Sequence, residues 1–170
     1  MSTAGTNWCT ILTYSLAAIF HYAWSLLDTI RSGLTTLKIL RFEVDVDVYR
    51  PTNREDDPLR ELLEELNFLS MTENIIEAMH FSFMVSEDLV PGNEWVGLDF
   101  LLCRPSWSSL KAVSLTVCVS NDLLKGNYAH NFHCDRERKE PAQHQWKDLP
   151  SQHLPMLSSN KAIRFDFHLG

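Results

Sequence analysis

Metal chemistry is the first function suggested by residue types, in the stretch His130-x-x-His133-Cys134, with His144 and His153 further along the chain. Imidazole and thiolate groups are the usual ligands of zinc, and a structural zinc site needs four of them. The cluster supplies three, its spacing matches no standard zinc finger, and adjacent side chains would have to turn toward one ion. We therefore predict no metal site and no cofactor, and interpret these residues as polar members of an exposed loop.

Catalysis is suggested next by two carboxylates, Asp28 and Asp99, each of which follows a Trp-x-x-Leu sequence. Residues that occupy equivalent positions in a repeat usually perform the same structural task, so we predict that each aspartate hydrogen-bonds a backbone amide in its own unit. The chain has no phosphate-binding glycine loop and no GxSxG nucleophile motif. We predict that the protein is not an enzyme and has no catalytic residues, and that Trp24, Trp95 and Trp107 anchor the core.

Composition narrows the classes of partner. The chain has 170 residues, 45% of them hydrophobic, and a formal net charge of -7. That length and composition suit one globular domain, and the acidic balance excludes nucleic acid as the main partner because phosphate binding needs a basic surface. The four cysteines are widely spaced and form no CxxC motif. We interpret all four as reduced thiols, which predicts a cytoplasmic or nuclear protein.

The N-terminal stretch is the one candidate for a membrane segment. Residues 8–27 contain no acidic or basic side chain apart from His21, over a length close to that of a membrane span. The stretch is diluted by polar residues and has no positive flank before it. We predict an apolar N-terminal helical segment at residues 1–23 that packs as a core helix or helix pair, with a membrane anchor over residues 8–27 as the alternative.

Strands are predicted wherever apolar residues alternate, because period two places one face of a strand in the core. Four segments share the frame Φ-x-x-Φ-x-Φ-x-Φ, where Φ is apolar, although Asn160 takes the first place of the last one. The segments begin at Leu37, Ile76, Leu110 and Asn160. The last frame then runs through Ile163, Phe165 and Phe167.

Helices are predicted between these strands. Asp57-Pro58 opens a helix that continues to Leu69, since proline is favoured at the first helical position. A second helix runs from Glu94 to about Cys103 and is stopped by Pro105, and the segment Leu149 to Leu157 is a short turn broken by Pro155. Residues 121–148 contain few aliphatic residues after Leu124 and are predicted to form a long exposed loop.

Alternation of strands and helices predicts an α/β fold with parallel strands and right-handed crossovers. A small closed α/β domain and a solenoid both fit this order. The repeated frame favours the solenoid, so we predict an irregular leucine-rich-repeat-like solenoid over residues 24–170, with about four parallel strands and helices on one side.

A family resemblance agrees with this expectation. The run Trp95-x-x-Leu98-Asp99, continued by Pro105-Ser-Trp107-x-x-Leu110, resembles the C-terminal leucine-rich-repeat-like region of the large F-box-type protein families of mushroom-forming fungi, as does the ending from Leu154 to Phe167. The resemblance implies a protein-binding repeat region that selects clients for a ubiquitin ligase. Thr10 to Trp24 lacks the leading Leu-Pro and the acidic residues of an F-box, so binding to the ligase adaptor is not implied.

Strand alternation also predicts where a partner binds. If the apolar side chains of each strand point inward, their polar neighbours line the opposite face of the sheet. These neighbours are Arg41, Glu43, Asp45, His80, Ser82, Ser114, Thr116, Arg164 and Asp166. Since they are mixed in charge, we predict a non-catalytic protein-protein interaction module. The alternatives are a plain solvated sheet face and a truncated orphan paralogue with no retained activity.

Overall fold

Five parallel strands form the centre of the fold in a computed structural model of the chain, which describes residues 10–16, 35–45, 58–86, 89–120 and 140–170. The strands are β1 (Thr10–Leu16), β2 (Leu37–Asp45), β3 (Ala78–Ser86), β4 (Ala112–Ser120) and β5 (Arg164–Leu169). They are hydrogen-bonded in sequence order, each parallel to the next. The sheet is open, with β1 and β5 at its two edges. The α/β class and the parallel sheet are therefore confirmed.

Helices connect these strands over the described ranges. They are α1 (Pro58–Ser70), α2 (Asn93–Leu102), α3 (Glu140–Lys147), α4 (Leu149–Gln152) and α5 (Pro155–Ser159). Both α1 and α2 begin and end within a residue or two of their predicted limits, because proline, glycine and apolar periodicity are local signals. The predicted turn before the last strand is two short helices, α4 and α5, each with proline in its first turn.

The core lies on one face of the sheet. The frame predicts which apolar side chains of β2, β3 and β4 point inward, and those that the structure describes are buried. They belong to one cluster with apolar side chains from each of the five helices. Aromatic rings of the sheet and of α2 are in contact within this cluster. The ring centroids of Phe42 and Phe81, which stack, are 5.1 Å apart, and those of Phe83 and Trp95, which meet edge to face, are 4.7 Å apart. The described helices therefore cover the apolar face of the sheet.

The N-terminal helix prediction is wrong over Thr10–Leu16, because this segment is strand β1 and pairs with β2. Its sequence, TILTYSL, is rich in β-branched and aromatic residues, which favour a strand. The helix was predicted from the length of the uncharged run, which does not distinguish the two structures. The alternative membrane anchor over residues 8–27 required a continuous helix, which strand β1 interrupts; residues 8–9 and 17–27 lie outside the described residues. No described helix has the length and apolar character needed to cross a membrane.

The loop prediction is wrong over residues 140–147, which form α3. The reason is Trp146, whose side chain is fully buried and meets Trp95 edge-on at 5.5 Å. One buried tryptophan gives a polar helix enough apolar contact to dock on the core. Residues 121–139, including His130, His133 and Cys134, lie outside the described residues, as do Trp24 and Asp28.

The register of the sheet agrees with the repeated frame on three strands and departs from it on the fourth. Leu40, Met79 and Val113 lie side by side, as the frame predicts. On β5 the neighbour of Val113 is Phe165 rather than Ile163, a shift of two residues. The chain bends at residues 161–163, and Arg164 is the first residue to join the ladder, through its N–H to the Lys111 carbonyl. Because the shift is even, the predicted face of every β5 side chain is preserved.

The polar strand face

The sheet brings the predicted partner-binding residues together on the face opposite the helices. We call this set the polar strand face: Arg41, Glu43, Asp45, His80, Ser82, Ser114, Thr116, Arg164 and Asp166. Since neighbouring parallel strands are in register, these residues form rows across the sheet rather than scattered positions. The Asp45 side chain is not described, and only its backbone position beside Met84 is known.

The first row carries most of the charge. It runs from Arg41 through His80 and Ser114 to Asp166. Arg164, two residues before Asp166 on β5, holds that carboxylate through its Nε at 3.0 Å. Burial lowers the pKa of His80 below its usual value, and the positive charges of Arg41 and Arg164 lower it further. His80 therefore favours the neutral form, which both donates and accepts hydrogen bonds.

The second row offers hydroxyl groups and contains a residue that the sequence prediction missed. Glu43, Ser82 and Thr116 lie side by side, and His168 on β5 completes the row. The predicted frame ended at Phe167, two residues out of register, so His168 fell outside it. The alternation Arg164, Asp166, His168 was the signal that could have identified it.

Apolar residues also lie on this face, which the sequence prediction did not include. Ile39, Ala78 and Ala112 form a row of half-buried side chains beside the charged one, and Met84 lies at the opposite end. Mixed polar and apolar surface of this kind is typical of protein interfaces. On β1, the backbone positions next to Arg41 and Glu43 are Thr13 and Ser15.

Cysteine chemistry differs from the prediction of four reduced thiols. Cys118 is disulfide-bonded, and it occupies a β4 position on the same side of the sheet as Ser114 and Thr116. Cys103 is free, and burial raises the pKa of its thiol, which keeps it in the unreactive protonated form. The prediction is therefore wrong for Cys118. Its sequence position in an apolar run could not reveal this, because a disulfide depends on which residue lies opposite in space.

Asp99 has a structural role, as predicted, but the backbone amides that it binds lie before β5, in the following unit rather than in its own. Its side chain is 2% exposed, and its two carboxylate oxygens accept hydrogen bonds from the backbone N–H groups of Met156 at 2.9 Å and Leu157 at 2.8 Å. The carboxylate therefore satisfies the first amides of α5 from a distant part of the chain. The indole N–H of Trp107 likewise donates to the Leu101 carbonyl at 2.9 Å, and both Trp95 and Trp107 are buried as predicted.

The other histidines of the described residues form no metal-binding cluster. No group of three or more histidine, cysteine, aspartate or glutamate side chains there could hold a metal ion. His144 is exposed on α3, whereas His153 is half-buried between α4 and α5. Comparisons of the chain with models of protein families, with curated proteins and with solved structures find no match.

Proposed function

We propose that the chain is a non-catalytic protein-protein interaction module that binds its partner on the polar strand face. The observation that carries this proposal is the register of the sheet. Five parallel strands in sequence order align charged, hydroxyl and apolar side chains in rows, on the face that the described helices leave open. A sheet face of mixed charged, hydroxyl and apolar side chains suits a folded protein better than a small molecule, which is normally enclosed in a pocket.

We further propose that the architecture is an irregular leucine-rich-repeat-like solenoid. Each connection of the described chain carries the next strand to the same side of the previous one, as repeated coils do. Among the described residues, one helix precedes β3, one precedes β4 and three precede β5, so the units are not identical. This irregular repetition supports the proposed similarity to the client-binding region of fungal F-box-type proteins. In that role the partner is a protein selected for ubiquitination, in the cytoplasm or nucleus.

The proposal is tested by a substitution at the centre of the polar strand face. Thr116→Arg places a long charged side chain between Ser82 and His168, where it obstructs a docked protein without entering the core. The matched control is Gln145→Arg, at an exposed position of α3. Tagged wild type and both variants are purified from cells with their partners, which are quantified by mass spectrometry. We expect at least one protein to be retained by wild type and the control but lost from Thr116→Arg.

The outcomes separate the proposal from its alternatives. A partner that Thr116→Arg retains as well as the control does would show that binding occurs elsewhere. Absence of any specific partner would instead favour an orphan paralogue without retained activity. Recovery of a ligase adaptor together with the partner would support the F-box-like role, whereas a partner without the adaptor would support a receptor that recognises clients alone.

A further inference from the structure

Strand β5 lies at one end of the sheet, and its outer backbone edge is paired with none of the strands that the structure describes. Its even-numbered residues direct their backbone toward β4: Arg164 donates its N–H to Lys111, and Gly170 donates to the Val117 carbonyl at 2.9 Å. Successive residues of a strand direct their backbone groups to opposite edges. Phe165, Phe167 and Leu169 therefore turn their N–H and C=O groups outward. No described strand pairs with this edge.

The side chains of these three residues lie at the edge of the core and are not fully covered. Phe165, Phe167 and Leu169 are only partly buried, whereas their neighbours on β4, which are Val113, Leu115 and Val117, are fully buried. An edge that combines free backbone groups with apolar side chains is a template for another strand. Natural edges are usually protected by lysine, proline or a bulge, and β5 contains neither lysine nor proline.

The sequence of β5 is complementary to itself in one antiparallel register. With Phe167 of one copy opposite Phe167 of another, Phe165 lies opposite Leu169, and all three outward-facing residues form hydrogen-bonded pairs. Asp166 of each copy then lies opposite His168 of the other, in the closely spaced non-hydrogen-bonded pairs. The imidazole can donate a hydrogen bond to the carboxylate, and this contact occurs twice by symmetry.

The neighbouring registers are less favourable. Centring the pair on Asp166 places two carboxylates directly opposite each other, and like charges in that position are destabilising. Centring it on Phe165 requires Ile163 as a paired residue, and the strand begins only at Arg164. Charge and strand length therefore make both of these registers less favourable than the one centred on Phe167.

We propose that the chain forms a two-fold symmetric dimer through antiparallel pairing of β5 with β5 of a second copy, centred on Phe167. The symmetry axis is perpendicular to the sheet, so the polar strand faces of both copies lie on the same side of one continuous sheet. The dimer therefore presents two copies of that face side by side. The inference rests on β5 alone and does not depend on the proposed function.

Sedimentation equilibrium over a wide concentration series tests the dimer. Wild type is expected to reach twice the 19.6 kDa mass of the chain. His168→Asp places carboxylates opposite Asp166 in both pairs and should raise the dimer dissociation constant about tenfold or more. The double variant Asp166→Lys with His168→Asp makes the pairs complementary again and should restore dimerisation. Asn93→Asp, which adds one negative charge at an exposed position of α2, is the control.

Each outcome decides the inference. A wild-type chain that stays monomeric at the highest concentration overturns it, and so does a dimer whose dissociation constant is the same for wild type and His168→Asp. The register centred on Asp166 would place His168 opposite Arg164, so tighter association of His168→Asp would reject the proposed pairing. Circular dichroism confirms that each variant is folded. Sedimentation tests the dimer, and partner capture by Thr116→Arg tests the proposed function. Failure of one proposal therefore does not affect the test of the other.

Discussion

Two carboxylates with opposite surroundings show how single residues support this fold. Asp99 is buried and accepts two backbone hydrogen bonds at the start of α5. Glu77 is part of the rim of the sheet, where its carboxylate joins Lys38 at 2.8 Å and Lys111 at 2.9 Å. The first joins elements that lie far apart in the sequence, and the second joins neighbouring strands where they begin.

Replacing Asp99 should strongly destabilise the fold. Asp99→Ala leaves the buried amide of Leu157 and the partly buried amide of Met156 without acceptors, which should lower the free energy of unfolding by about 3 kcal/mol. Asp99→Asn keeps one acceptor oxygen and should lose about half as much. Urea denaturation followed by circular dichroism measures both. Glu94→Ala, exposed on the same helix, should change the value by less than about 0.5 kcal/mol, and an equally small loss in Asp99→Ala would contradict the assigned role.

Glu77 should make stability depend on acid pH. Hydrogen bonds from Lys38 and Lys111, with their positive charges, lower the pKa of Glu77 from 4.5 to about 2. A carboxylate with a lowered pKa in the folded state contributes stability above its unfolded pKa and loses it as pH falls through the folded value. The difference in unfolding free energy between wild type and Glu77→Gln should therefore shrink between pH 4.5 and about 2.

A substitution of Lys111 provides the control for the pH measurement. Lys111→Met removes one of the two hydrogen-bond donors to Glu77, so it should reduce the acid-dependent part of the stability. Added salt should reduce it as well, because the pair is exposed and screened. A pH dependence that is identical in wild type and Glu77→Gln would exclude Glu77 as its source.

At the scale of elements, α3 shows how one side chain can decide whether a polar segment folds. Its sequence EPAQHQWK has Trp146 as the only large apolar residue, and that ring is fully buried against Trp95. The helix also contacts β4 and β5, the last two strands of the sheet. Docking of Trp146 therefore connects the segment before β5 to the rest of the core.

Truncating Trp146 should detach α3. Trp146→Ala removes a fully buried indole and should lower the free energy of unfolding by about 4 kcal/mol, as expected for large-to-small core substitutions. Lys147→Ala, at an exposed neighbouring position of the same helix, should have little effect. Thermal and urea unfolding measure the difference. If Trp146→Ala were as stable as Lys147→Ala, the indole would not anchor the helix.

At the scale of the whole molecule, the disulfide at Cys118 bears on where the protein resides. Disulfides persist in oxidising compartments and are rare in the cytosol, so the argument from reduced thiols for a cytoplasmic or nuclear location no longer applies. That location stays a prediction, now without support from cysteine chemistry. The bond lies on the side of the sheet that carries the polar strand face, beside the residues proposed to bind a partner.

Counting thiols tests the disulfide. Cys118 and its partner use two of the four cysteines, so the denatured, unreduced chain should react with two equivalents of a thiol reagent, and with four after reduction. Cys118→Ser frees the partner and should give three, whereas Cys103→Ser should give one. Four reactive thiols in unreduced wild type would show that the bond does not form.

The sequence alone predicted the features that depend on local periodicity. Alternation identified β2, β3 and β4 and the residues on each face, and proline and glycine signals delimited α1 and α2. The polar strand face followed from the same alternation, and the register of the sheet places its residues on one face, apart from the Asp45 side chain. These predictions succeed because each uses residues within one turn or one strand. Partner binding on that face stays a prediction.

Tertiary structure decided the features that depend on distant residues. Helix α3 has a weak local signal and is stabilised by the contact of Trp146 with Trp95. Strand β1 has a composition that favours a strand, but its place in the sheet depends on pairing with β2. The register of β5, which placed His168 beside Thr116, depends on where the chain can join β4. The amides that Asp99 binds lie 57 and 58 residues further along the chain. No local pattern encodes such pairs, because the free energy that selects them comes from burial and hydrogen bonds formed only when the chain is folded.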